Sequence, residues 1–179
     1  MKHINTLTDL NVIIADCKKG SRIAQRTLYE HYSPGIFALI KRYMNGDVSK
    51  SEDVLSETFL KVFRDLKDYA FKGSFDGWIK KIAVNTITDH FRGKQFHYED
   101  VETQKVLIKE TAVDMLSYKE LLAILQSLPD MPRIVFNLHV MENYSHKEIA
   151  EILNISEGYS RYTLNQARTK LKQKLQTLI

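Results

Sequence analysis

The amino-acid sequence predicts an all-α protein made of two small helical bundles joined by a flexible linker. Two observations support this fold class. Apolar residues recur every three or four positions through most of the chain, which is the spacing of one face of a helix. The chain also has only 7 Gly and 3 Pro in 179 residues, too few for the many tight turns of a β-sandwich or barrel.

The distribution of charge indicates two modules. Residues 1–95 carry 16 basic and 11 acidic side chains, residues 96–118 carry two and five, and residues 119–179 carry eight and six. Two basic blocks separated by a short acidic stretch are typical of two domains and a linker. The predicted boundaries are 1–95 for the first domain, 96–114 for the linker and 115–179 for the second domain.

Helical signals follow one another at the start of the first module. A first helix ends at Gly20, and a second begins directly after it. Ser33 and Pro34 have the pattern of an N-cap followed by proline at the first helical position. We therefore predict that a new helix begins at Pro34 and ends at Asn45-Gly46, rather than that one kinked helix runs through the proline.

Two longer helices complete the first module. Ser49 and Glu52 fit a capping box for the helix SEDVLSETFLKVFRDL. After a short loop, the apolar spacing predicts a second helix over FDGWIKKIAVNTITDHFR, with Gly93 as its C-cap. Residues 94–113 lose this spacing and turn acidic, so we interpret them as the flexible linker.

The second module begins with two further helices. Ser117 and Glu120 fit a capping box for the helix containing LLAILQSL, which Pro129 ends. Apolar spacing then predicts a helix from Met131 to Met141.

A helix-turn-helix follows. Ser145 and Glu148 form another capping box, Asn154 turns the chain, and Ser156 caps a long final helix. Asn suits this turn because it is one of the few residues with a side chain that tolerate the left-handed conformation. Residues 159–179 contain five cations and no acid. An acid-free basic helix favours DNA binding over a helical hairpin without a DNA role.

The exposed positions of this final helix would face a DNA major groove. Arg161 and Arg168 are the better candidates for phosphate or guanine contacts, because a guanidinium group pairs bidentately with either. Tyr159 and Tyr162 either contact sugar–phosphate or thymine methyl groups, or one of them folds back over the core. The positions predicted to be exposed are Glu157, Tyr159, Ser160, Arg161, Tyr162 and Asn165.

Aromatic and basic residues are interleaved over residues 71–96, a mixture that suits single-stranded nucleic acid. Phe75 and Trp78 nevertheless have core spacing, so we expect both rings to be buried. Asn85, Thr86 and Asp89 lie about one turn apart. They either hydrogen-bond an extruded base or form an ordinary solvated face, and the residues alone leave both readings open.

Several classes of protein are excluded. No window approaches 18 apolar residues without a charge, so we expect a cytoplasmic protein with no membrane insertion. The six His show no HExxH spacing, and there is neither a Gly-rich phosphate loop nor a nucleophile elbow, so we expect no enzyme, no metal and no cofactor. Cys17 is the single cysteine, and an inert thiol is expected rather than a redox sensor of lowered pKa.

Four segments, in this order, resemble the bacterial sigma-70 family of RNA polymerase sigma factors, extracytoplasmic-function type (group IV). The segment CKKGSRIAQRTLYEHYSPGIFALIKRYM is similar to the opening helices of region 2. The pair SEDVLSETFLKVFRDLKDY and SFDGWIKKIAVNTITDHFR is similar to the rest of region 2. The segment LQSLPDMPRIVFNLHVMENYSHKEIAEILNISEGYSRYTLNQARTKLKQKL resembles region 4. The resemblance implies a transcription initiation factor that directs core RNA polymerase to promoters and assists −10 melting.

The resemblance also implies binding residues in the first domain. One helix would dock on the clamp helices of the largest polymerase subunit through Asp53, Glu57, Phe59, Lys61 and Arg64. The loop from Phe71 to Asp76 would form a pocket for a base flipped from the −10 non-template strand. Asp89 stands where the family commonly has an uncharged amide. With the cations of the same stretch, the predicted −10 residues are Lys72, Ser74, Lys80, Lys81, Asn85, Asp89 and Arg92.

In the second domain, the resemblance implies recognition of the −35 duplex by the final helix. An anti-sigma factor is a further partner usual in the family. A stand-alone helix-turn-helix regulator, which would bind duplex DNA without polymerase, is the alternative function. The predicted −35 residues are Ser145, Ser156, Glu157, Gly158, Tyr159, Arg161, Tyr162, Asn165 and Arg168.

Overall fold

The structure is a computed structural model that describes residues 6–92 and 118–176. Within these ranges the chain forms helices and no strand, so the predicted all-α class is confirmed. The chain divides into two compact units, Met1–Lys41 with Val48–His90, and Arg42–Asp47 with Phe91–Ile179. The Gly93 C-cap, the 96–114 linker and the Ser117 capping box lie outside the described residues.

The first unit contains four α-helices. They are α1 (Leu7–Lys18), α2 (Arg22–Tyr43), α3 (Val48–Asp65) and α4 (Phe75–Arg92), and the last two residues of both α2 and α4 belong to the second unit. A short 3-10 turn, Leu66–Asp68, follows α3. Thr6 caps α1 in a reciprocal capping box with Asp9. The helices converge on an apolar core that includes Ile14, Leu28, Val62, Ile79 and Ile87, each 1% exposed or less.

The prediction that a new helix begins at Pro34 is wrong, because α2 runs unbroken from Arg22 to Tyr43 with Pro34 inside it. Pro34 lacks an N–H group, so its turn loses one backbone hydrogen bond, a change that costs about 3 kcal/mol in a helix interior. Four buried side chains lie at i, i+4 spacing across the proline, namely Leu28, Tyr32, Ile36 and Ile40. Only a continuous helix keeps all four on one face, and their burial offsets the missing bond.

A second local prediction also fails. Helix α3 begins at Val48, so Ser49 lies inside the first turn and does not cap it as the Ser49–Glu52 pattern predicts. Ile23, in the first turn of α2, has an apolar side chain that is nevertheless 78% exposed.

The second unit contains α5 (Tyr118–Gln126), α6 (Asp130–Phe136), α7 (His146–Leu153) and α8 (Glu157–Gln176). The predicted Met131–Met141 helix is present, but its last part, Asn137–Met141, is a π-helical segment. A buried apolar cluster joins α5 to α8, with Leu125, Leu128 and Ala167 at its centre and Phe136 and Leu171 packed against it. This packing positions α8 on the unit.

The Arg133 side chain is almost fully buried in the second unit, at 2% exposure. Its guanidinium group donates hydrogen bonds to the carbonyl oxygens of Leu128 and Tyr43 and to the Asp130 carboxylate. Tyr43 belongs to the Arg42–Asp47 segment that this unit includes. Buried charge is tolerated here because the guanidinium donors have oxygen acceptors.

Candidate functional site

The predicted helix-turn-helix is present in the second unit. Ser145 and Glu148 cap α7 reciprocally, since the Ser145 hydroxyl accepts from the Glu148 N–H at 3.2 Å and the Glu148 carboxylate accepts from the Ser145 N–H at 2.8 Å. Asn154 adopts the left-handed conformation with φ 54° and ψ 50°, as the sequence predicts. The Ser156 hydroxyl then accepts from the Tyr159 N–H at 3.0 Å, which starts α8.

The first turns of α8 expose most of the predicted −35 residues. Glu157, Gly158, Arg161, Asn165 and Arg168 are exposed. Arg161 forms an ion pair with Glu157 one turn earlier. This pair sets the orientation of the Arg161 guanidinium group before any DNA is bound.

Tyr159 and Tyr162 occupy an intermediate position on α8. Both are partly buried, and their rings stack with centroids 6.3 Å apart and planes at 28°. Each ring therefore contacts the protein with one part and solvent with another, which leaves both predicted roles open.

Ser160 does not face the groove as predicted, because it is fully buried. Its hydroxyl lies 2.9 Å from Nδ1 of His146 on α7. The His146 ring stacks on His139, with centroids 4.3 Å apart and planes at 17°. His139 donates from its own Nδ1 to the Tyr144 carbonyl oxygen at 2.8 Å, since a carbonyl can only accept. These contacts hold the first turns of α8 against His146 on α7 and, through it, against His139.

The pKa of His146 is lowered from its ordinary value. Desolvation is the largest cause, electrostatic interactions with His139, Arg161 and Arg168 act in the same direction, and the interaction with Glu157 opposes them. The folded protein therefore favours the neutral imidazole.

We expect acid to destabilise the second unit through His146. Because the folded-state pKa lies below 6.5, the contribution is intact above that pH and is lost as the pH falls through the folded-state value. Replacing His146→Asn, which keeps a polar atom near the Nδ1 position, should reduce the loss of stability between pH 7.5 and 5. Urea unfolding of the full chain at several pH values measures this. The control is His31→Asn at an exposed position on α2, and equal pH dependence in all three proteins contradicts the prediction.

Helix α3 in the first unit has one buried and one exposed face. The buried face carries Ser51, Val54, Leu55, Thr58, Phe59 and Val62. On the opposite face, Asp53, Glu57 and Arg64 are exposed, and Leu60 lies among them with 72% of its surface exposed. Leu60 was not among the predicted docking residues. Leu60 is offset, by helical spacing, from the buried residues of α3, and this offset is the sequence signal that predicts its exposure.

Phe59 is one of the predicted docking residues, but its side chain is buried. It is only 3% exposed, and its ring packs edge-on against Tyr29 with centroids 4.6 Å apart. A side chain buried inside the unit supports the helix but cannot contact a partner.

Lys61 links α3 to α4 by ion pairs. Its ammonium group lies 2.9 Å from the Glu57 carboxylate and 3.3 Å from the Asp89 carboxylate. The neighbouring positive charge partly neutralises Asp89, the acid that stands where the family commonly has an amide. An acid at this position therefore repels DNA phosphate less than an isolated carboxylate would.

An aromatic cluster underlies the loop before α4. Tyr69 and Phe75 are buried, and Trp78 is half-buried, so the core prediction holds fully for Phe75 and in part for Trp78. The Tyr69 ring lies 5.2 Å from Phe71, 5.2 Å from Phe75 and 5.1 Å from Trp78, centroid to centroid. Unlike the others, Phe71 is 46% exposed.

The predicted −10 residues are all on the surface. Lys72 and Ser74 lie in the loop, and the others are exposed positions of α4, namely Lys80, Lys81, Asn85, Asp89 and Arg92. Thr86 is not available for a base, because it is buried and its hydroxyl donates to the Ile82 carbonyl oxygen at 2.9 Å. Asn85 and Asp89 thus remain as the polar pair on this side of the helix.

Three further findings concern other kinds of site. No helix within residues 6–92 and 118–176 is both long and apolar enough to cross a membrane. The same residues contain no group of three or more His, Cys, Asp or Glu side chains placed to hold a metal ion. Burial, with a smaller effect of Asp16, raises the pKa of the Cys17 thiol to about 11, so this cysteine is protonated and unreactive near neutral pH.

An all-helical chain with this arrangement of α7, turn and basic α8 is a helix-turn-helix DNA-binding protein. Two family models match it in order along the chain. The model for Sigma-70 region 2 matches residues 28–97, and the model for Sigma-70 region 4 matches residues 118–171. The chain belongs to the sigma-70 family of RNA polymerase sigma factors and is of the extracytoplasmic-function type.

Similar proteins agree with this assignment along almost the whole chain. The ECF RNA polymerase sigma-E factor of Escherichia coli K12 is 29% identical over 189 aligned positions, covering 97% of each chain. The ECF RNA polymerase sigma factor SigW of Bacillus subtilis is 26% identical, covering 92% of this chain and 96% of SigW.

Solved structures support the fold. CnrH, crystallised with the cytosolic domain of CnrY, has a TM-score of 0.51 and 20% identity, covering 93% of this chain and 96% of its own. The sigma factor RpoE from Bartonella quintana, solved with the anti-sigma factor NepR, has a TM-score of 0.52 and 18% identity, covering 85% and 96%. At these identities the likeness concerns the fold alone.

Proposed function

We propose that this protein is a promoter-specific transcription initiation factor that acts by recruitment and not by catalysis. Its first domain docks on core RNA polymerase and captures an unstacked −10 base, and its second domain reads the −35 duplex. The observation that carries the proposal is the match of regions 2 and 4, in that order, to a chain whose second match contains a helix-turn-helix. Such a protein works in the cytoplasm, where the bacterial polymerase is found.

The exposed face of α3 is the proposed docking surface for the clamp helices of the largest polymerase subunit. Leu60 supplies an apolar centre, and Asp53, Glu57 and Arg64 supply a charged rim. This arrangement matches the usual anatomy of an interface, in which apolar contacts are central and polar contacts surround them. Lys61 contributes less directly, because its ammonium group is already paired with Glu57 and Asp89.

The loop before α4 and the exposed side of α4 are the proposed −10 surface. Lysines 72, 80 and 81 and Arg92 would follow the phosphates of the non-template strand. The Asn85 amide both donates and accepts hydrogen bonds, as a base edge requires. Extruding the base costs a few kcal/mol, which contacts in the pocket and with polymerase would offset.

The first part of α8, from Glu157 to Arg168, is the proposed −35 surface. Arg161 and Arg168 project from exposed positions toward phosphate or guanine, and Asn165 lies between them. The hydroxyls of Ser145 and Ser156 cap α7 and α8, so we expect these two residues to act by orienting the helix N-termini toward the DNA backbone. Glu157 restrains Arg161 and would have to release it to the DNA.

Two further elements complete the proposal. The boundaries 1–95, 96–114 and 115–179 place an acidic linker between the domains, which lets each reach its own promoter element. An anti-sigma factor is a third partner, by analogy with CnrH and RpoE, whose solved structures contain CnrY and NepR.

The test is direct reconstitution with the full chain. The purified protein is mixed with bacterial core RNA polymerase, complex formation is followed by size exclusion, and run-off transcription is measured from a library of random promoter duplexes. We expect co-elution and transcripts that depend on added protein. Absence of core binding, together with tight binding of duplex DNA by the protein alone, would instead establish a stand-alone helix-turn-helix regulator.

A further inference from the structure

The side chain of Lys18, the last residue of α1, reaches the loop that precedes α4. Its ammonium group donates a hydrogen bond to the Tyr69 carbonyl oxygen at 2.6 Å. The same group lies 5.0 Å from the centroid of the Phe71 ring, within the range of a cation–π contact. One charged group thus holds both the backbone and an aromatic ring of this loop.

Phe71 has an unusual backbone conformation. Its φ is +56°, in the left-handed region that residues with a Cβ rarely adopt. Such a conformation persists only where surrounding groups hold it, and it is concentrated at functional sites. Here the ring is 46% exposed, and its covered part lies against the Tyr69 ring of the aromatic cluster, with centroids 5.2 Å apart.

Two residues hold the loop in place, one from inside the unit and one from α1. Tyr69 anchors it from inside, because its ring is buried and its hydroxyl donates to the Gly73 carbonyl oxygen at 3.2 Å. Lys18 holds it from α1. The other loop residues, from Ala70 to Ser74, are exposed, so the Lys18 ammonium group is the outer restraint on Phe71.

We propose that Lys18 is a positioning residue for −10 recognition, which keeps the loop in the conformation that exposes the Phe71 ring to an unstacked base. The inference rests on the proposed function, which assigns the loop from Phe71 to Asp76 to the base pocket. An exposed ring suits this task because base–aromatic stacking is tolerant of sequence. Lys18 lies outside residues 28–97, so the region 2 match itself does not include it.

The experiment uses full-length protein with core RNA polymerase and the most active promoter from the random library. It compares heparin-resistant open complexes for the wild type, Lys18→Met, Lys18→Arg, Phe71→Ala and the double variant Lys18→Met/Phe71→Ala. The matched control is Lys19→Met, which removes an equal charge at the next position, where Lys19 is exposed and lies 3.6 Å from Asp16. Core binding by size exclusion and the dependence of open-complex formation on salt are measured for each protein.

We expect Lys18→Met to bind core normally but to form open complexes about tenfold more slowly, from the loss of a charged hydrogen bond and a cation–π contact. Lys18→Arg should retain most activity, and Lys19→Met all of it. The double variant should be no slower than Phe71→Ala, because Lys18 acts through that ring. The salt dependence should be unchanged in Lys18→Met.

Two outcomes overturn the inference. Additive effects of Lys18→Met and Phe71→Ala, with a salt slope reduced by about one, would make Lys18 a direct phosphate contact. Equal rates for Lys18→Met and Lys19→Met would remove any specific role. A wild-type protein that neither binds core nor supports transcription would refute the proposed function itself. This outcome is distinct from the other two because it is seen without any variant.

Discussion

Replacing Leu60→Asp is expected to weaken binding of core RNA polymerase about 100-fold, which is about 2.7 kcal/mol of binding free energy. Leu60 is 72% exposed at the centre of the proposed docking face of α3, between Asp53 and Arg64. An apolar side chain at the centre of an interface is desolvated on binding, and a carboxylate there would be buried without a partner. The fold should be unaffected, because Leu60 makes little contact with the core.

The matched control is Ile23→Asp. Ile23 is also aliphatic, is 78% exposed and belongs to the same unit, but it lies on α2. Titration of fluorescently labelled core polymerase gives the affinity of both variants, and circular dichroism verifies that both are folded. Wild-type affinity for Leu60→Asp would place the docking surface elsewhere and remove α3 from the proposal.

Replacing Arg133→Met is expected to lower the free energy of unfolding of the second unit by about 3 kcal/mol. The substitution keeps the length of the side chain but removes every donor from a position that is 2% exposed. The Leu128 and Tyr43 carbonyl oxygens each lose the bond that Arg133 donates, and a buried polar group left without a partner costs about 1–3 kcal/mol. The Asp130 carboxylate loses its ion pair as well.

Urea unfolding followed by circular dichroism measures this loss. The two units can unfold in separate transitions, so each transition is fitted by itself. The control, Arg26→Met, removes an exposed arginine whose partner, Glu30, is on the same helix, and it should leave both transitions unchanged. If Arg133→Met unfolds at the same urea concentration as the control, the buried network contributes nothing measurable.

Much of the helix-turn-helix was predictable because its signals are local. Ser145 and Glu148 are three positions apart, and each satisfies a backbone group of the other. Asn154 carries its conformational preference in its own side chain. The start of α8 is equally local, because the Ser156 hydroxyl accepts from the N–H of Tyr159, three positions later. No distant residue is needed for any of these features.

Pro34 shows where a local rule fails. Ser33-Pro34 is a good start signal, yet α2 continues through it, because Leu28 and Tyr32 before the proline share a buried face with Ile36 and Ile40 after it. Burial of that face depends on the other helices of the unit, and the local pattern does not contain them. The tertiary packing therefore outweighs the lost hydrogen bond.

The predicted binding surfaces also separate what local sequence signals predict from what only tertiary packing decides. The resemblance implied that α3 docks on polymerase, but the structure decided that Phe59 faces Tyr29 inside the unit and that Leu60 faces outward. Ser160 was predicted to be exposed on the side of α8 that faces DNA, but it is buried beside His146. In both cases the helix is present as predicted, but one side chain expected to be accessible is buried, since burial depends on what packs against the helix.

The sequence by itself determined the all-α class, the caps and turn of the helix-turn-helix, the family and the order of its two regions. These depend on spacings and motifs within a few residues of one another, which the order of the chain displays directly. Only the tertiary structure decided which side chains are buried, that Lys61 pairs with Asp89, and that Lys18 holds a loop 51 positions away. Such contacts join residues far apart in the chain, and their energies arise from burial and distance in the folded molecule.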